Sequence, residues 1–285
     1  MHIGAVMFFT EAAMRPAELG RALEERGFES LWVPEHTHIP VLDPPPMMPN
    51  GPLIRPYYDI MDPFLVLNAA AAATTTLKIG TGVCLVNQRD PIVTAKMVST
   101  IDVLSNGRFL FGVGNGWFRE EIENHGTRFA TRHQVARERI EAMVAIWTRD
   151  APEYHGRYVD FGRINQWPKP AQKPHPPIIV GGVLDYAGPR ALRYGNGWIP
   201  RVDRLDKDDL GAQVTQFRAM AKQAGRDPAA LSINLFRVPD DMETLRFCQD
   251  LGIDRVVFSL PAEPAATILP ILDRWAKMKD ALAAG

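Results

Sequence analysis

The stretch Leu77–Gly107, LKIGTGVCLVNQRDPIVTAKMVSTIDVLSNG, contains the pattern that decides the fold. Its first part, LKIGTGVCLV, is a short apolar run rich in β-branched residues, which is typical of a buried strand. Pro91 then opens a helical pattern, because proline is favoured in the first turn of a helix. The stretch therefore predicts a strand followed by a helix.

The same unit recurs along the whole chain. Several of the candidate strands are continuous apolar runs, which indicates parallel strands buried on both faces. Most are followed by a helical pattern, and eight alternating strands and helices favour a closed barrel, which commonly takes ~250 residues. We therefore predict an α/β protein with one domain, residues 1–285, folded as a (β/α)8 TIM barrel. The strands are expected to begin near His2, Ser30, Leu77, Arg108, Pro177, Gly197, Leu231 and Arg255.

Extra chain is concentrated after the second and fourth predicted strands. The first insertion, residues 37–63, is rich in proline and is expected to be an irregular loop. The second contains EYHGRYVDFGRI, residues 153–164, which predicts a β-hairpin turning near Gly156. Barrel active sites lie at the C-terminal ends of the strands, where both insertions emerge. Each is therefore either a surface loop or a flap over the site.

Composition excludes several classes of protein. Charged residues make up 23% of the chain, the formal net charge is −1 and no Lys/Arg tract is present, so nucleic acid is not an expected partner. No window approaches the ~18 uninterrupted apolar residues of a membrane span. Cys84 and Cys248 are far apart and lack CxxC spacing, so neither a disulfide framework nor a thiolate zinc site is expected. The N-terminus reads directly as a strand, and we expect a cytoplasmic protein.

Two histidines follow the second strand in WVPEHTHIP, residues 32–40. His36 and His38 are spaced i, i+2 and would share one face of a strand, so they could hold a metal ion or line an organic cofactor pocket. A metal site needs three or four convergent ligands, whereas His2 begins a strand, His175 precedes one and His155 lies in the predicted hairpin. No metal is therefore expected.

Glycines stand beside four of the predicted strands. Glycine allows a flat or phosphorylated ligand to approach the backbone closely, although tight turns would explain any one pair. A GxGxxG fingerprint is absent, since Trp117 occupies the third glycine position. We predict cofactor contacts at this rim. The clusters are Gly80-Thr81-Gly82, Gly112-Val113-Gly114-Asn115-Gly116, Gly181-Gly182 and Gly195-Asn196-Gly197.

Basic residues also follow the predicted strand ends, the end of the barrel at which ligands bind. They indicate either a positive rim for an anionic ligand or solvated loop charges balanced by Glu120, Glu121 and Glu123. Arg201 is included among the predicted cofactor-binding residues. The basic residues are Arg55, Arg89, Arg119, Arg128, Arg132, Lys169 and Arg201.

Long ordered motifs resemble the bacterial luciferase-like superfamily of flavin and deazaflavin oxidoreductases. They are LEERGFESLWVPEH, the run IGTGVCLVNQRDPIVTAKMVSTIDVLSNGRFLFGVGNGW, and PPIIVGG with YGNGWIP, and the similarity spans nearly the whole chain. GNGWFREEIENHGTRFATR and EYHGRYVDFGRINQWPKP are similar to the branch that depends on coenzyme F420, a 5-deazaflavin. The resemblance implies a (β/α)8 barrel with a tricyclic ring in its C-terminal mouth.

The resemblance also implies roles for individual residues. A non-proline cis peptide on the third strand would fall at Gly82-Val83 or Val83-Cys84, against the ring face. Glu35 and His36 would be the catalytic pair, with His36 beside the ring edge. Further cofactor contacts are expected from Gly114, Asn115 and Gly116 at the ring or ribityl chain, from Gly181 and Gly182 at the phosphate, and from Gly197 in the glycine rim.

The implied activity is hydride transfer between C5 of F420 and an organic substrate. Related sugar-phosphate dehydrogenases carry a carboxylate where this chain has Trp117, so an apolar or unsaturated small-molecule substrate is expected instead. An FMN-dependent monooxygenase is the alternative, and a non-catalytic cofactor-binding protein is a third. The family resemblance implies a homodimer.

Overall fold

The structure, a computed structural model, describes residues 1–48, 51–200 and 207–284. Its centre is a cylinder of eight parallel strands that pair in chain order, with the fourth and fifth strands closing the ring between two halves of the sheet. Each strand begins within one residue of its predicted start, so the (β/α)8 prediction is confirmed. The strands are β1 (His2–Met7), β2 (Ser30–Val33), β3 (Lys78–Thr81), β4 (Phe109–Gly114), β5 (Ile178–Gly181), β6 (Gly197–Ile199), β7 (Ser232–Phe236) and β8 (Arg255–Leu260).

In the described part of the chain, eight longer helices surround the barrel. Asp90 caps one of them, because its carboxylate accepts a hydrogen bond from the Val93 amide at 2.9 Å and Pro91 follows it in the first turn. The first helix ends at Glu25, and Gly27, two residues later, has a φ of +69° that suits glycine. The helices are α1 (Pro16–Glu25), α2 (Pro63–Ala72), α3 (Pro91–Leu104), α4 (Arg132–Thr148), α5 (Leu184–Tyr194), α6 (Lys207–Gln223), α7 (Met242–Asp250) and α8 (Ala265–Ala284).

Close packing around Trp32 and Thr81 in the barrel explains two of the glycines. The Trp32 side chain is fully buried, and its indole donates to the Ser30 hydroxyl at 2.9 Å. A Cβ at Gly80 would lie 2.6 Å from the Trp32 ring, and one at Gly112 would lie 2.0 Å from the Thr81 carbonyl oxygen. Gly80 and Gly112 therefore serve internal packing, whereas the sequence had suggested cofactor contacts there.

Both insertions contain short paired strands. Residues 37–63 are not wholly irregular, because they contain the paired strands Met47–Met48 and Gly51–Pro52 and the short helix Pro56–Asp59. The predicted hairpin is confirmed, with Tyr154–His155 paired to Asp160–Phe161.

That hairpin packs on helix α4. The Glu138 carboxylate accepts hydrogen bonds from the amides of Tyr158 and Val159, at 2.6 and 3.1 Å. The first insertion, in contrast, reaches the C-terminal mouth of the barrel through Tyr57. Of the two predicted flaps, only the first borders the mouth among the described residues. No helix in the described part of the chain is long and apolar enough to cross a membrane.

Candidate active site

A cavity of about 630 Å³ opens at the C-terminal ends of the strands. Seven of the eight strands contribute to it, either through their last residue or through the segment that follows, so its walls come from distant parts of the sequence. The volume lies within the range of ~300–1,000 Å³ for small-molecule sites. This is the ligand-binding end of a β/α barrel.

The floor of the cavity carries a cis peptide bond between Gly82 and Val83, at the first of the two positions named from the sequence. The Val83 side chain occupies space that two other strands leave open. A Cβ at Gly114 would lie 2.4 Å from Val83 Cγ2, and one at Gly181 would lie 3.1 Å from Val83 Cγ1. These two glycines thus make room for a side chain of the protein itself, a role that the sequence did not reveal.

His36 lines the cavity next to β2 and is held by a carboxylate from after β4. Its Nδ1 lies 2.8 Å from Glu121 Oε2, and the two side chains are 8% and 1% exposed. The second Glu121 oxygen accepts a hydrogen bond from the Thr37 amide at 2.9 Å. A carboxylate can only accept here, so Nδ1 carries the hydrogen and Nε2 is left for a ligand.

Aromatic rings surround this histidine on the cavity side. The Tyr57 ring centre is 5.2 Å from the His36 ring, and the Trp117 ring centre is 6.0 Å away in an edge contact. Trp117 remains 41% exposed and lines the cavity, as expected for an apolar wall. The sequence analysis named Glu121 only as one of three acidic residues that could balance solvated loop charges. No local pattern marks it, because its partner is 85 residues away along the chain.

Glu35 borders the cavity, but its carboxylate is already occupied. One oxygen accepts from the Leu85 amide at 2.6 Å and the other from Arg89 Nε at 2.5 Å, while Arg89 also binds Asp62 at 2.7 Å. Glu35 is buried, and only 3% of the residue is exposed to solvent. The Glu35 carboxylate is thus held by Leu85 and Arg89, and its expected catalytic role stays a prediction.

Two further predicted cofactor residues, Cys84 and Gly197, do not line the cavity. The Cys84 side chain is fully buried in the core outside the barrel, and burial, followed by the nearby Glu35 charge, raises its pKa well above the usual value. Gly197 starts β6, so it lies at the end of the strand opposite the mouth, where a Cβ would meet the Ser232 backbone. Arg201 lies outside the described residues.

The remaining predicted cofactor residues, Gly114, Asn115, Gly116, Gly181 and Gly182, all line the cavity. Beside them is a cationic end that sequence reasoning found only in part. It consists of the two cations Arg132 and Arg190 together with His133. Only Arg132 was singled out from the sequence, because no glycine or strand motif marks His133 on α4 or Arg190 on α5.

Polar contacts join this cationic end. Asn115 Nδ2 donates to His133 Nδ1 at 2.6 Å, which identifies that nitrogen as an acceptor, and Arg190 Nη1 lies 3.4 Å from it. Burial, then the charges of Arg132 and Arg190, lowers the pKa of His133 to about 4. The buried Nε of Arg132 has no partner among the described residues. The group therefore offers positive charge and free donors, which suit an anion.

The other loop residues named from the sequence lie elsewhere. His38 contacts Asn124 at 2.9 Å and its ring lies beside His125, away from the cavity lining. Arg55 is paired with Asp59 at 2.5 Å. Among residues 1–48, 51–200 and 207–284, no group of three His, Cys, Asp or Glu side chains is placed to hold a metal ion.

Comparison with known proteins relates the chain to several oxidoreductases. An uncharacterised protein of Mycobacterium tuberculosis strain H37Rv is 35% identical over 282 residues, which are 97% of this chain and 98% of that protein. An FMNH2-dependent dimethylsulfone monooxygenase of Pseudomonas putida is 31% identical over 181 residues, 62% and 49% of the two chains. An F420-dependent hydroxymycolic acid dehydrogenase of M. tuberculosis is 27% identical over 240 residues, 81% and 61%.

Solved structures share the architecture. Monooxygenase RslO1 from Streptomyces bottropensis superposes with a TM-score of 0.81 at 17% identity over 98% of each chain. An F420-dependent secondary alcohol dehydrogenase in complex with an F420-acetone adduct does so with a TM-score of 0.75, also at 17% identity over 98% of each chain. The model of the luciferase-like monooxygenase family matches residues 6–239. This chain therefore belongs to the luciferase-like monooxygenase family and is a luciferase-like oxidoreductase.

Proposed function

We propose that the protein is an F420-dependent oxidoreductase that transfers a hydride between the deazaflavin C5 and an apolar or unsaturated organic substrate. The observation that supports this most is the pairing of two environments in one cavity. One end has the His36–Glu121 pair among aromatic rings, and the other has Arg132, His133 and Arg190. Such a cavity suits a ligand with a flat redox ring and an anionic tail.

The residues present fit a phosphorylated flavin-type cofactor. Gly181 and Gly182 would lie at its phosphate together with Arg190 and Arg132, whose buried Nε lacks a partner among the described residues. The bare backbone near Gly182 and the two guanidinium groups supply donors that a phosphate can accept from. The Gly82-Val83 segment and Asn115 would hold the ring or the ribityl chain.

The cationic end also continues outward, which favours F420 over FMN. Arg132 and Arg119 place their guanidinium carbons 3.7 and 4.6 Å from the centre of the Phe129 ring. Arg119 is 57% exposed, with Glu123 3.6 Å away. F420 carries glutamate carboxylates beyond its phosphate, whereas FMN ends at the phosphate. A cationic path that extends past the phosphate position is therefore more useful to F420.

His36 would manage the proton that accompanies the hydride. When bound, F420 would supply a two-electron hydride donor or acceptor at C5. Glu121 holds the His36 hydrogen on Nδ1, so Nε2 is the nitrogen that would accept or donate a proton at the substrate. Tyr57 and Trp117 keep the space near His36 apolar and limit access of water.

The second candidate is an FMN-dependent monooxygenase. Its support is the 31% identity to the FMNH2-dependent dimethylsulfone monooxygenase, which is a higher identity than that to the F420-dependent dehydrogenase. Reduced FMN activates oxygen, and a 5-deazaflavin lacks the nitrogen at which that chemistry occurs. The two candidates therefore predict different cofactors and different products.

Titration of the cofactor-free protein with F420 and with FMN, followed by fluorescence quenching, separates them. We expect saturable F420 binding and weaker FMN binding, and then reduction of at least one apolar acceptor by reduced F420. Micromolar FMN binding with no F420 response would reject the proposal in favour of the monooxygenase. Tight F420 binding without turnover across a broad panel of acceptors would indicate a cofactor-binding protein instead.

A further inference from the structure

Besides Arg132 and Arg190, a third arginine, Arg237, lines another part of the cavity. Arg237 follows directly after β7, whereas Arg132 and Arg190 come from the helices that follow β4 and β5. In the closed barrel, β7 is three strands from β4 and two from β5. Arg237 therefore contributes a positive charge that is separate from the proposed phosphate end.

The backbone at this position is fixed in an uncommon conformation. Arg237 is one of two non-glycine residues with a positive φ among those described, at +58°, and its amide donates to the Val257 carbonyl at 2.9 Å. This hydrogen bond ties the residue to β8. A bulky residue in the left-handed region is uncommon and disfavoured, so this conformation is held by its surroundings. Arg237 is one of the residues that line the cavity.

Aromatic rings stand around this guanidinium. Arg237 Nη2 donates to the Tyr57 hydroxyl at 3.3 Å, and its Cζ lies 5.9 Å from the centre of the Phe8 ring. The Phe8 and Tyr57 ring centres are 4.8 Å apart, and Tyr57 also lies beside His36. A continuous apolar surface thus runs from Arg237 to the histidine.

In the part of the chain that the structure describes, no acidic side chain forms an ion pair with Arg237. Within residues 1–48, 51–200 and 207–284, the only recorded hydrogen bond of the Arg237 side chain is to Tyr57. Among the described residues that line the cavity, Glu35 is the only one with a carboxylate, and it is bound to Leu85 and Arg89. A partly exposed guanidinium with free donors next to an apolar surface matches an organic anion that is apolar over the rest of its length.

We propose that the substrate is an apolar organic acid whose carboxylate binds Arg237 while its hydrocarbon part lies on Phe8 and Tyr57. This inference rests on the proposed function, because it names the substrate class of the same site. A single guanidinium matches the single charge of a carboxylate better than the two charges of a phosphate ester. The acid, anchored at Arg237, would extend along Tyr57 and present its apolar carbons to His36.

The test compares matched ligands on wild type and variants. The probes are trans-cinnamate, its methyl ester and phenyl phosphate, with dissociation constants measured by ligand-observed NMR on the F420-loaded and the cofactor-free protein. We expect trans-cinnamate to bind more tightly than the ester and phenyl phosphate. The R237Q variant should weaken trans-cinnamate about tenfold, because a hydrogen bond to a charged group is lost, and should leave the ester within about twofold.

Two further variants control for charge and folding. R237K keeps the charge and should retain part of the preference for the acid, whereas R21Q, on the exposed face of α1, should behave as wild type. Thermal unfolding of each variant shows whether it is folded. The dissociation constant of F420 is measured separately and should not change in R237Q.

Several results would overturn the inference. They are equal binding of acid and ester, stronger binding of phenyl phosphate, equal losses for acid and ester in R237Q, or no binding of trans-cinnamate at millimolar concentration. A loss of F420 affinity in R237Q would assign Arg237 to the cofactor instead. A preference for the acid in a protein that does not bind F420 would reject the proposed function and leave the carboxylate site intact.

Discussion

His36 Nδ1 and Glu121 Oε2 are 2.8 Å apart, although one residue follows β2 and the other lies on the short helix Arg119–Asn124 after β4. Both oxygens of Glu121 are used, because the Thr37 amide donates to the other at 2.9 Å. One carboxylate thus fixes both the imidazole and the backbone that follows it. Glu121 is a positioning residue for His36.

Replacing Glu121 by Gln keeps the size of the side chain but should disturb its hydrogen bonds to His36 and Thr37. Gln offers one carbonyl oxygen where two hydrogen-bond donors need acceptors, so either His36 or Thr37 is left facing an amide N–H. We expect kcat to fall about 100-fold, the lower end of what a positioned acid–base group contributes, and the dissociation constant of F420 to change little. Steady-state kinetics and cofactor titration measure the two effects.

A tautomer measurement separates positioning from general damage. In protein labelled with 15N-histidine, His36 should show a protonated Nδ1 in wild type and a mixture of tautomers in E121Q. H36N identifies the signal, and E120Q, on the same short helix, is the matched control. An unchanged His36 spectrum together with unchanged kcat in E121Q would contradict the positioning role.

The fit of Val83 between β4 and β5 gives a second prediction. A methyl group at Gly114 would overlap Val83 Cγ2, so G114A should displace the cavity floor and weaken cofactor binding by about tenfold or more. Shortening the obstructing side chain in V83A/G114A should restore part of the affinity, because the overlap involves the Val83 methyl group. Titration of cofactor into the single and double variants measures the coupling.

G162A is the control for this series, since nothing lies within 4 Å of a Cβ at Gly162. It should bind cofactor as wild type does. The packing explanation would fail if G114A bound the cofactor as tightly as wild type does. It would also fail if the losses of cofactor affinity in V83A and G114A simply added up in the double variant.

The barrel could be predicted from the sequence because its signals are local. Each strand is a short apolar run and each helix has its own start signal, such as Pro91, so strand starts fall within one residue of their predicted positions. The sequence analysis also named Gly114 and Gly181 as residues of the site, but it did not show why these positions are glycines. The space they leave is taken by Val83, and that contact joins three separate strands.

The partners within the site could not be predicted in the same way. Glu35 stands next to His36 in the sequence, yet successive side chains at a strand end point in different directions, and Arg89 takes the Glu35 carboxylate. The partner that His36 does have, Glu121, is 85 residues away. Arg190 likewise reaches the cavity from a helix, where no glycine or strand signal marks it.

The cationic end gives a third prediction, which concerns the phosphate alone. Arg190 borders the cavity and has no carboxylate partner among the described residues, so R190Q should weaken phosphorylated ligands about tenfold. FMN and F420 should both be affected, whereas riboflavin and the phosphate-free deazaflavin of F420 should bind equally well to variant and wild type. Fluorescence titration at low and high salt measures the four ligands.

R193Q is the matched control, because Arg193 lies on the same helix but pairs with Glu141 at 2.9 Å outside the cavity lining. Its ligand affinities should equal those of wild type. Equal losses for phosphorylated and phosphate-free ligands in R190Q would show that Arg190 acts on the ring or on the fold.

The fourth prediction concerns stability and pH. Glu24 Oε1 accepts hydrogen bonds from the amides of Thr75, Thr76 and Leu77, at 2.8, 2.5 and 2.9 Å, which ties α1 to the segment before β3. Burial alone would raise the pKa of Glu24, but these hydrogen bonds outweigh it and lower the pKa to about 2 from the ordinary 4.5. Because the folded pKa is the lower one, Glu24 stabilises the protein fully above the unfolded value, and this contribution is lost as pH falls from 4.5 towards 2.

Urea unfolding of wild type and E24Q should therefore give a difference in the free energy of unfolding that is constant near neutral pH and narrows between about pH 5 and about pH 3. E25Q, the adjacent exposed residue on α1, should show neither the loss nor its pH dependence. A difference between wild type and E24Q that stays the same across this range would mean that the charge of Glu24 does not stabilise the fold.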